Sequence, residues 1–186
     1  MSQLRAACTA LATAAVFALG GCPELLDEDA AVALLTDGGE VIGVTADGGG
    51  TVWTANQSGG THGDLLANGG TVFAISGGSE VVAYDSFSGE ELWSADLGGS
   101  AAGELAILGD AVFAQTLDRV VALDAAGGDE LWSEAYAGLS GAMATGAGAL
   151  YCGGDPVRRL NADDGSEEAT YPTGNSQVAD LGLTGG

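Results

Sequence analysis

The sequence predicts an all-β protein, a β-propeller of four-stranded antiparallel blades that stack because none can bury both of its faces alone. Two observations carry this. Trp53, Trp93 and Trp132 follow one another at intervals of 40 and 39 residues, too regular a period for an unrelated string of strands. Thirty-three glycines stand against three prolines and punctuate short runs of Val, Leu and Ala that end in Gly or Asp, which reads as brief strands joined by turns. A hydrophobic content of 46% is ample for a core and excludes a disordered chain.

Taken in order, Met1 to Cys22 comes first, with one positive side chain at Arg5, an apolar stretch to Leu19, and small residues before a cysteine. That is the layout of a secretory signal, and its apolar stretch is shorter than the roughly 20 residues a spanning helix needs. Leu19-Gly20-Gly21-Cys22 resembles a bacterial lipobox. The resemblance implies a signal peptide over residues 1–21 and a lipidated N-terminus over 22–24, with Cys22 carrying the lipid. The plainer alternative is an ordinary secretory signal beside a chance cysteine. Pro23 after Cys22 slightly favours an outer-membrane destination, again by resemblance to other lipoproteins.

Removing residues 1–21 deletes Arg5 and no acid, so the formal charge of −22 becomes −23. Such a polyanion repels phosphate backbones and anionic headgroups, which excludes nucleic acid as a partner and electrostatic attachment to a membrane. The acidity, with no lysine in the chain, fits a protein kept soluble at high salt. Cys8 leaves with the signal, so Cys152 has no intramolecular disulfide partner and reads as a small buried hydrophobe. The single histidine, His62, lies in a Gly-rich loop and gives a Cys/His pair little support.

The repeats divide the remainder into units 25–64, 65–104, 105–142 and 143–180, with a strand stub at 181–186. Four residues before each tryptophan stands a glycine (Gly49, Gly89, Gly128), and four before each glycine stands Thr45, Asp85 or Asp124. The fourth unit keeps Asn161 and Gly165 but has Ala169 at the tryptophan position. In the clearest unit the sequence predicts strands a to d over Leu65 to Asn68, Thr71 to Ser76, Glu80 to Tyr84 and Glu91 to Ala95. The next unit predicts them over Leu105 to Leu108, Ala111 to Thr116, Arg119 to Leu123 and Glu130 to Glu134. The first unit predicts its own strand a at Leu25-Leu26.

Each recurring residue has a structural role and a functional one. An Asp opening the c–d turn can accept bonds from amides two or three residues on, and the glycine supplies positive φ, so these acids read as turn-makers before they read as ligands. A tryptophan on the outer strand can fill the gap between blades while its N–H finds a carbonyl, or it can form a stacking surface for a sugar or peptide. Recurrence in every unit favours the architectural role in both cases. The cluster Asp163-Asp164-Gly165-Ser166-Glu167-Glu168 lacks the spacing of a calcium loop and reads as a solvated turn.

Val81-Val82-Ala83-Tyr84-Asp85, Gly89 and Leu92-Trp93, repeated as Val120-Val121-Ala122-Leu123-Asp124, Gly128 and Leu131-Trp132, resemble the PQQ-like propeller repeat, with fair matches in the first unit and weak ones in the fourth. The resemblance implies one of two functions. Quinoprotein dehydrogenases are eight-bladed enzymes that hold pyrroloquinoline quinone (PQQ) and calcium, often with adjacent cysteines at the quinone; this chain has no Cys-Cys pair. Non-catalytic relatives include a lipoprotein scaffold of outer-membrane protein assembly. The sequence expectation is a lipid-anchored, non-catalytic module that binds envelope proteins, with no catalytic, cofactor or metal residues. A degenerate or truncated PQQ-dependent oxidoreductase and a carbohydrate-binding envelope propeller are the alternatives. Four units and a stub leave three architectures open: a closed four-bladed ring, an arc that pairs as a homodimer, or part of a larger propeller. An open arc is expected to present an apolar blade face at each end.

Overall fold

The computed structural model describes residues 31–35, 40–45, 49–56, 65–174, 178 and 181. The signal segment, Cys22, Leu25-Leu26, His62 and residues 182–186 lie outside them. Among the described residues every regular element is a β-strand, and no helix is long and apolar enough to cross a membrane.

β1 (Ala31–Leu35), β2 (Glu40–Thr45) and β3 (Thr51–Asn56) form the first sheet. The second holds β4 (Leu66–Asn68), β5 (Thr71–Ser76), β6 (Glu80–Asp85) and β7 (Glu91–Asp96). The third holds β8 (Ala101–Leu108), β9 (Ala111–Thr116), β10 (Arg119–Asp124) and β11 (Glu130–Ala135), and the fourth β12 (Leu139–Gly146), β13 (Ala149–Gly154), β14 (Val157–Asn161) and β15 (Glu167–Tyr171). Each sheet is an antiparallel meander in chain order, as expected of propeller blades. The first sheet supplies strands b, c and d of its unit, strand a being the one placed by sequence outside the described residues.

Strands b and c of the second and third blades are apolar at their centres because both faces are covered. In the second blade Val72, Ala74, Val82 and Tyr84 join Val41, Trp53 and Ala55 of the first in one core. The opposite face sends Phe73, Val81, Ala83 and Trp93 into a second core with Val112, Ala114, Val121 and Leu123 of the third blade. A third core packs Phe113, Val120 and Ala122 against Met143, Leu150, Cys152 and Leu160 of the fourth. Among the described residues no core cluster joins the fourth blade to the first.

Strand a is longer than the sequence predicts in the third blade, and likewise long in the fourth. β8 begins at Ala101 and β12 at Leu139, each with a register shift that lets the strand bend. Gly141, at φ 91°, lies so close to β8 that an added Cβ would fall 1.9 Å from the Ala102 carbonyl oxygen. Glu104 accepts the Met143 N–H at 3.0 Å, and the Thr145 hydroxyl donates to the Ile107 carbonyl at 2.8 Å. These bonds join neighbouring a strands, which backbone ladders within a blade cannot do.

The outer face of the fourth blade differs from the seams between blades. Its outer face carries Tyr151, Arg159 and Ala169 in register, where the third blade has Phe113, Ala122 and Trp132. Arg159 pairs with Glu168 and accepts no apolar neighbour's role; its side chain is 31% exposed and hydrogen-bonds Tyr151. With an ion pair in place of an indole and a methyl, this face carries a more polar row than the seams do.

Candidate functional site

The recurrent residues form a lock at each seam between blades. The Trp53 indole N–H donates to the Ser86 carbonyl in the next blade at 2.9 Å, Trp93 donates to Ala125 at 3.1 Å and Trp132 to Ala162 at 2.9 Å. Each ring also lies over the glycine of that same turn. A Cβ added to Gly89, Gly128 or Gly165 would fall 2.5, 2.6 or 2.7 Å from Trp53, Trp93 or Trp132. Glycine is therefore required twice, by a φ of 70–75° and by the indole face above it. Tyr136 adds a bond at the last seam, its hydroxyl donating to the Gly165 carbonyl at 2.5 Å. Gly49 has the same positive φ, 67°, with no atom of the described residues within 4 Å of an added Cβ.

The turn acids are engaged locally. Asp85 accepts the Phe87 and Ser88 N–H groups at 3.0 and 2.8 Å and the Ser88 hydroxyl at 2.9 Å. The Ser88 bonds hold its carboxyl below the usual carboxylate range. Asp124 accepts Gly127 N–H at 2.9 Å, and the Asn161 side-chain oxygen accepts Asp163 N–H at 2.8 Å. The fourth-blade acids are likewise divided: Asp164 takes both Ser166 donors, Glu167 pairs with Arg158 at 3.2 Å, and Glu168 pairs with Arg159. Calcium needs six to eight oxygens about one centre. The acids just named are engaged within their own turns or by arginines, and among the described residues no group of three or more His, Cys, Asp or Glu is placed to hold a metal ion.

Cys152 is fully buried in the third core. Burial pushes its thiol up to about 12, against a smaller opposing pull from Arg158. A thiol in that state is a packing group and a poor nucleophile at neutral pH.

What sequence reasoning missed lies where the a–b and c–d turns of adjacent blades meet. One cleft of about 580 Å³ opens between the third and fourth blades, floored by Leu108 and Phe113, flanked by the 55% exposed Leu131, and rimmed by Asp110, Asp124 and Asp163. A second, of about 340 Å³, lies at the preceding seam against Phe73 and Asn68 and shares Asp110 and Asp124. Gly109-Asp110 falls between the strands the sequence predicts at Leu105 to Leu108 and Ala111 to Thr116, which marks it as a turn. That it would stand beside the next unit's cleft depends on blade stacking, which no local pattern encodes. The two turns are joined by the Ala125 N–H, which donates to the Asp110 carbonyl at 2.8 Å.

A family model described as "Outer membrane protein assembly factor BamB" (PQQ_2) matches residues 37–181. No curated protein sequence matches the chain. Among solved structures, BamB from Moraxella catarrhalis is 18% identical with a TM-score of 0.59, over 83% of this chain and 64% of that one. The computationally designed Ika8 protein is 16% identical with a TM-score of 0.73, over 87% of this chain and 52% of that one. The quinohemoprotein alcohol dehydrogenase ADHIIG from Pseudomonas putida HK5 is 16% identical with a TM-score of 0.64, over 78% of this chain and 33% of that one. The chain thus spans less than two thirds of each structure, and at these identities the likeness is one of fold. With the family model matching most of the chain and the blades as described, the protein belongs to the PQQ_2 family of β-propeller repeat proteins, the family of the outer membrane protein assembly factor BamB.

Proposed function

We propose that this chain is an extracytoplasmic, lipid-anchored and non-catalytic module that binds or scaffolds proteins of the cell envelope. The observation that carries the reading is how the repeat spends its chemistry. The three indole N–H groups bond neighbouring blades, and the turn carboxylates bond their own turns. Side chains that could have served as a stacking surface for sugars are thereby committed to the fold, which favours protein binding over a carbohydrate-binding propeller. What faces solvent is a row of inter-blade clefts and exposed apolar side chains such as Phe87 and Leu117, surfaces suited to another polypeptide. Membership of the BamB family supports the same reading. No cofactor is part of it.

The test has two parts. Mass spectrometry of the mature N-terminus should find lipid on Cys22, and in-cell photo-crosslinking from positions 87 and 117 should trap a defined envelope protein. An unmodified Cys22 would remove the anchor. A PQQ-loaded, calcium-supplemented protein that reduces dye would replace this reading with the oxidoreductase one.

A further inference from the structure

We infer that the cleft between the third and fourth blades docks an extended basic segment of a partner protein, one that pairs Lys or Arg with an apolar side chain. The inference rests on the protein-binding reading above and names the chemistry of the partner. The cleft offers two kinds of contact in one place. Half-buried Leu108 lies at its base above the fully buried Phe113, and Leu131 is left 55% exposed beside it, so the apolar surface that gains by covering is that of Leu108 and Leu131. Around that floor stand Asp110, Asp124 and Asp163 with no basic side chain lining the cleft. The chain carries 26 acids against four Arg or Lys, so it cannot easily supply the cation itself, and a positively charged partner is steered toward it from a distance.

The geometry favours a polypeptide over a small ligand. The cleft is open to solvent, and the neighbouring cleft at the preceding seam shares Asp110 and Asp124, so the two acids border both openings. An extended strand sends alternate side chains to opposite sides, so a segment with alternating basic and apolar residues can meet the acidic rim and the floor together. The backbone of such a segment remains free for the turn carbonyls and amides at the rim.

The experiment uses the mature full-length chain and a fluorescent peptide alternating Arg and Leu, with Arg-Ser and Glu-Leu peptides of equal length as controls. Anisotropy at several salt concentrations gives the affinities. Asp110→Asn with Asp163→Asn should weaken Arg-Leu binding roughly three- to tenfold, the effect of two rim ion pairs. Glu80→Gln with Asp96→Asn removes the same charge at the ends of β6 and β7 away from the cleft and should change affinity less than about twofold. Leu131→Ser should weaken binding at high salt as well as at low. Retained melting temperatures exclude misfolding as the cause. Equal losses from the two charge pairs, or equal affinity for Arg-Leu and Arg-Ser, would overturn the cleft as the site. If cleft variants leave the peptide unaffected while crosslinking from positions 87 and 117 still traps its partner, the cleft is wrong and the scaffolding reading stands. If neither peptide nor partner binds, the scaffolding reading itself fails.

Discussion

The seam between the second and third blades and the outer face of the fourth use the same three register positions and fill them oppositely. At the seam, Phe73, Ala83 and Trp93 lie side by side across β5, β6 and β7, with the phenyl and indole centroids 5.8 Å apart. The third blade repeats them as Phe113, Ala122 and Trp132, again with ring centroids 5.8 Å apart. On the fourth blade the row reads Tyr151, Arg159 and Ala169. Where another blade follows in the chain, the row is apolar and ends in an indole donor. Where none follows among the described residues, it is polar and the donor is gone. Strand order and antiparallel pairing are the same in both places, so the contrast lies in the side chains at these three positions.

The largest expected effect comes from removing the lock itself. Trp93→Ala should destabilise the fold by about 3–5 kcal/mol, through lost burial, a cavity between blades and an Ala125 carbonyl left without its donor. Chemical denaturation monitored by circular dichroism reads it. Ala169→Gly, at the corresponding position of the fourth blade, should cost no more than about 1 kcal/mol. Similar costs at the two positions would break the comparison. Equal melting with lost ligand affinity in Trp93→Ala would make the indole a binding surface.

A smaller difference separates two glycines of the third blade. Gly109 and Gly128 have φ of 61° and 75°, so alanine at either meets the left-handed penalty of about 1–2 kcal/mol. Nothing lies within 4 Å of a Cβ at Gly109, whereas one at Gly128 would fall 2.6 Å from the Trp93 ring. Gly128→Ala should therefore cost about 1–3 kcal/mol more than Gly109→Ala, from overpacking. In a Trp93→Ala background that excess should vanish, and a surviving excess would assign it to the backbone alone.

These cases also show how far the sequence could be read. The period of Trp53, Trp93 and Trp132 set the length of the repeating unit, and the Asp85-to-Gly89 spacing marked the hairpin between β6 and β7, because both are local or strictly repeated signals. The partner of each indole was not legible, since Ser86, Ala125 and Ala162 contribute a backbone carbonyl and any residue would serve. The polar row on the fourth blade was hidden for another reason. Tyr151, Arg159 and Ala169 are far apart in sequence, and only strand register sets them side by side. The clefts around Asp110 are a further step removed, because they form between sheets.

Buried Cys152 provides a pH-dependent test of the third core. Its thiol is raised from 9.0 to about 12 in the folded chain. Above the unfolded value the unfolded chain gives up this proton first, so stability from this group is complete below pH 9 and falls as pH rises toward 12. The slope should approach about 1.4 kcal/mol per pH unit at most. Tyr136 is raised as well, chiefly by burial, and acts in the same direction. Comparing Cys152→Ala with the parent isolates the thiol: the parent should lose more stability than the variant between pH 9 and 11. Parallel curves would mean that the thiol is not sealed in this core.

The smallest expected change in stability concerns the fourth blade's outer face, and there the informative quantity is association. If the row of side chains decides between interior and surface, Tyr151→Phe, Arg159→Ala and Ala169→Trp together restore the seam pattern on a face without a following blade among the described residues. The Arg159–Glu168 pair and the Arg159–Tyr151 bond are removed, both at a partly exposed surface where ion pairs contribute little, so melting should shift only slightly. The new face, with Phe, Ala and Trp in register, is an uncovered apolar patch that water disfavours and another blade face would cover. Sedimentation of the mature chain with Cys22 replaced should show concentration-dependent self-association in the triple variant. At high salt, where repulsion between two polyanions is screened, the difference from the parent should be greatest. The parent should not associate through this face, and a cysteine placed at position 159 should not crosslink to its counterpart in a second copy. A triple variant that sediments as the parent does, or a parent that crosslinks at 159, would show that Tyr151, Arg159 and Ala169 do not control this surface and that the contrast with the inner seams has another cause.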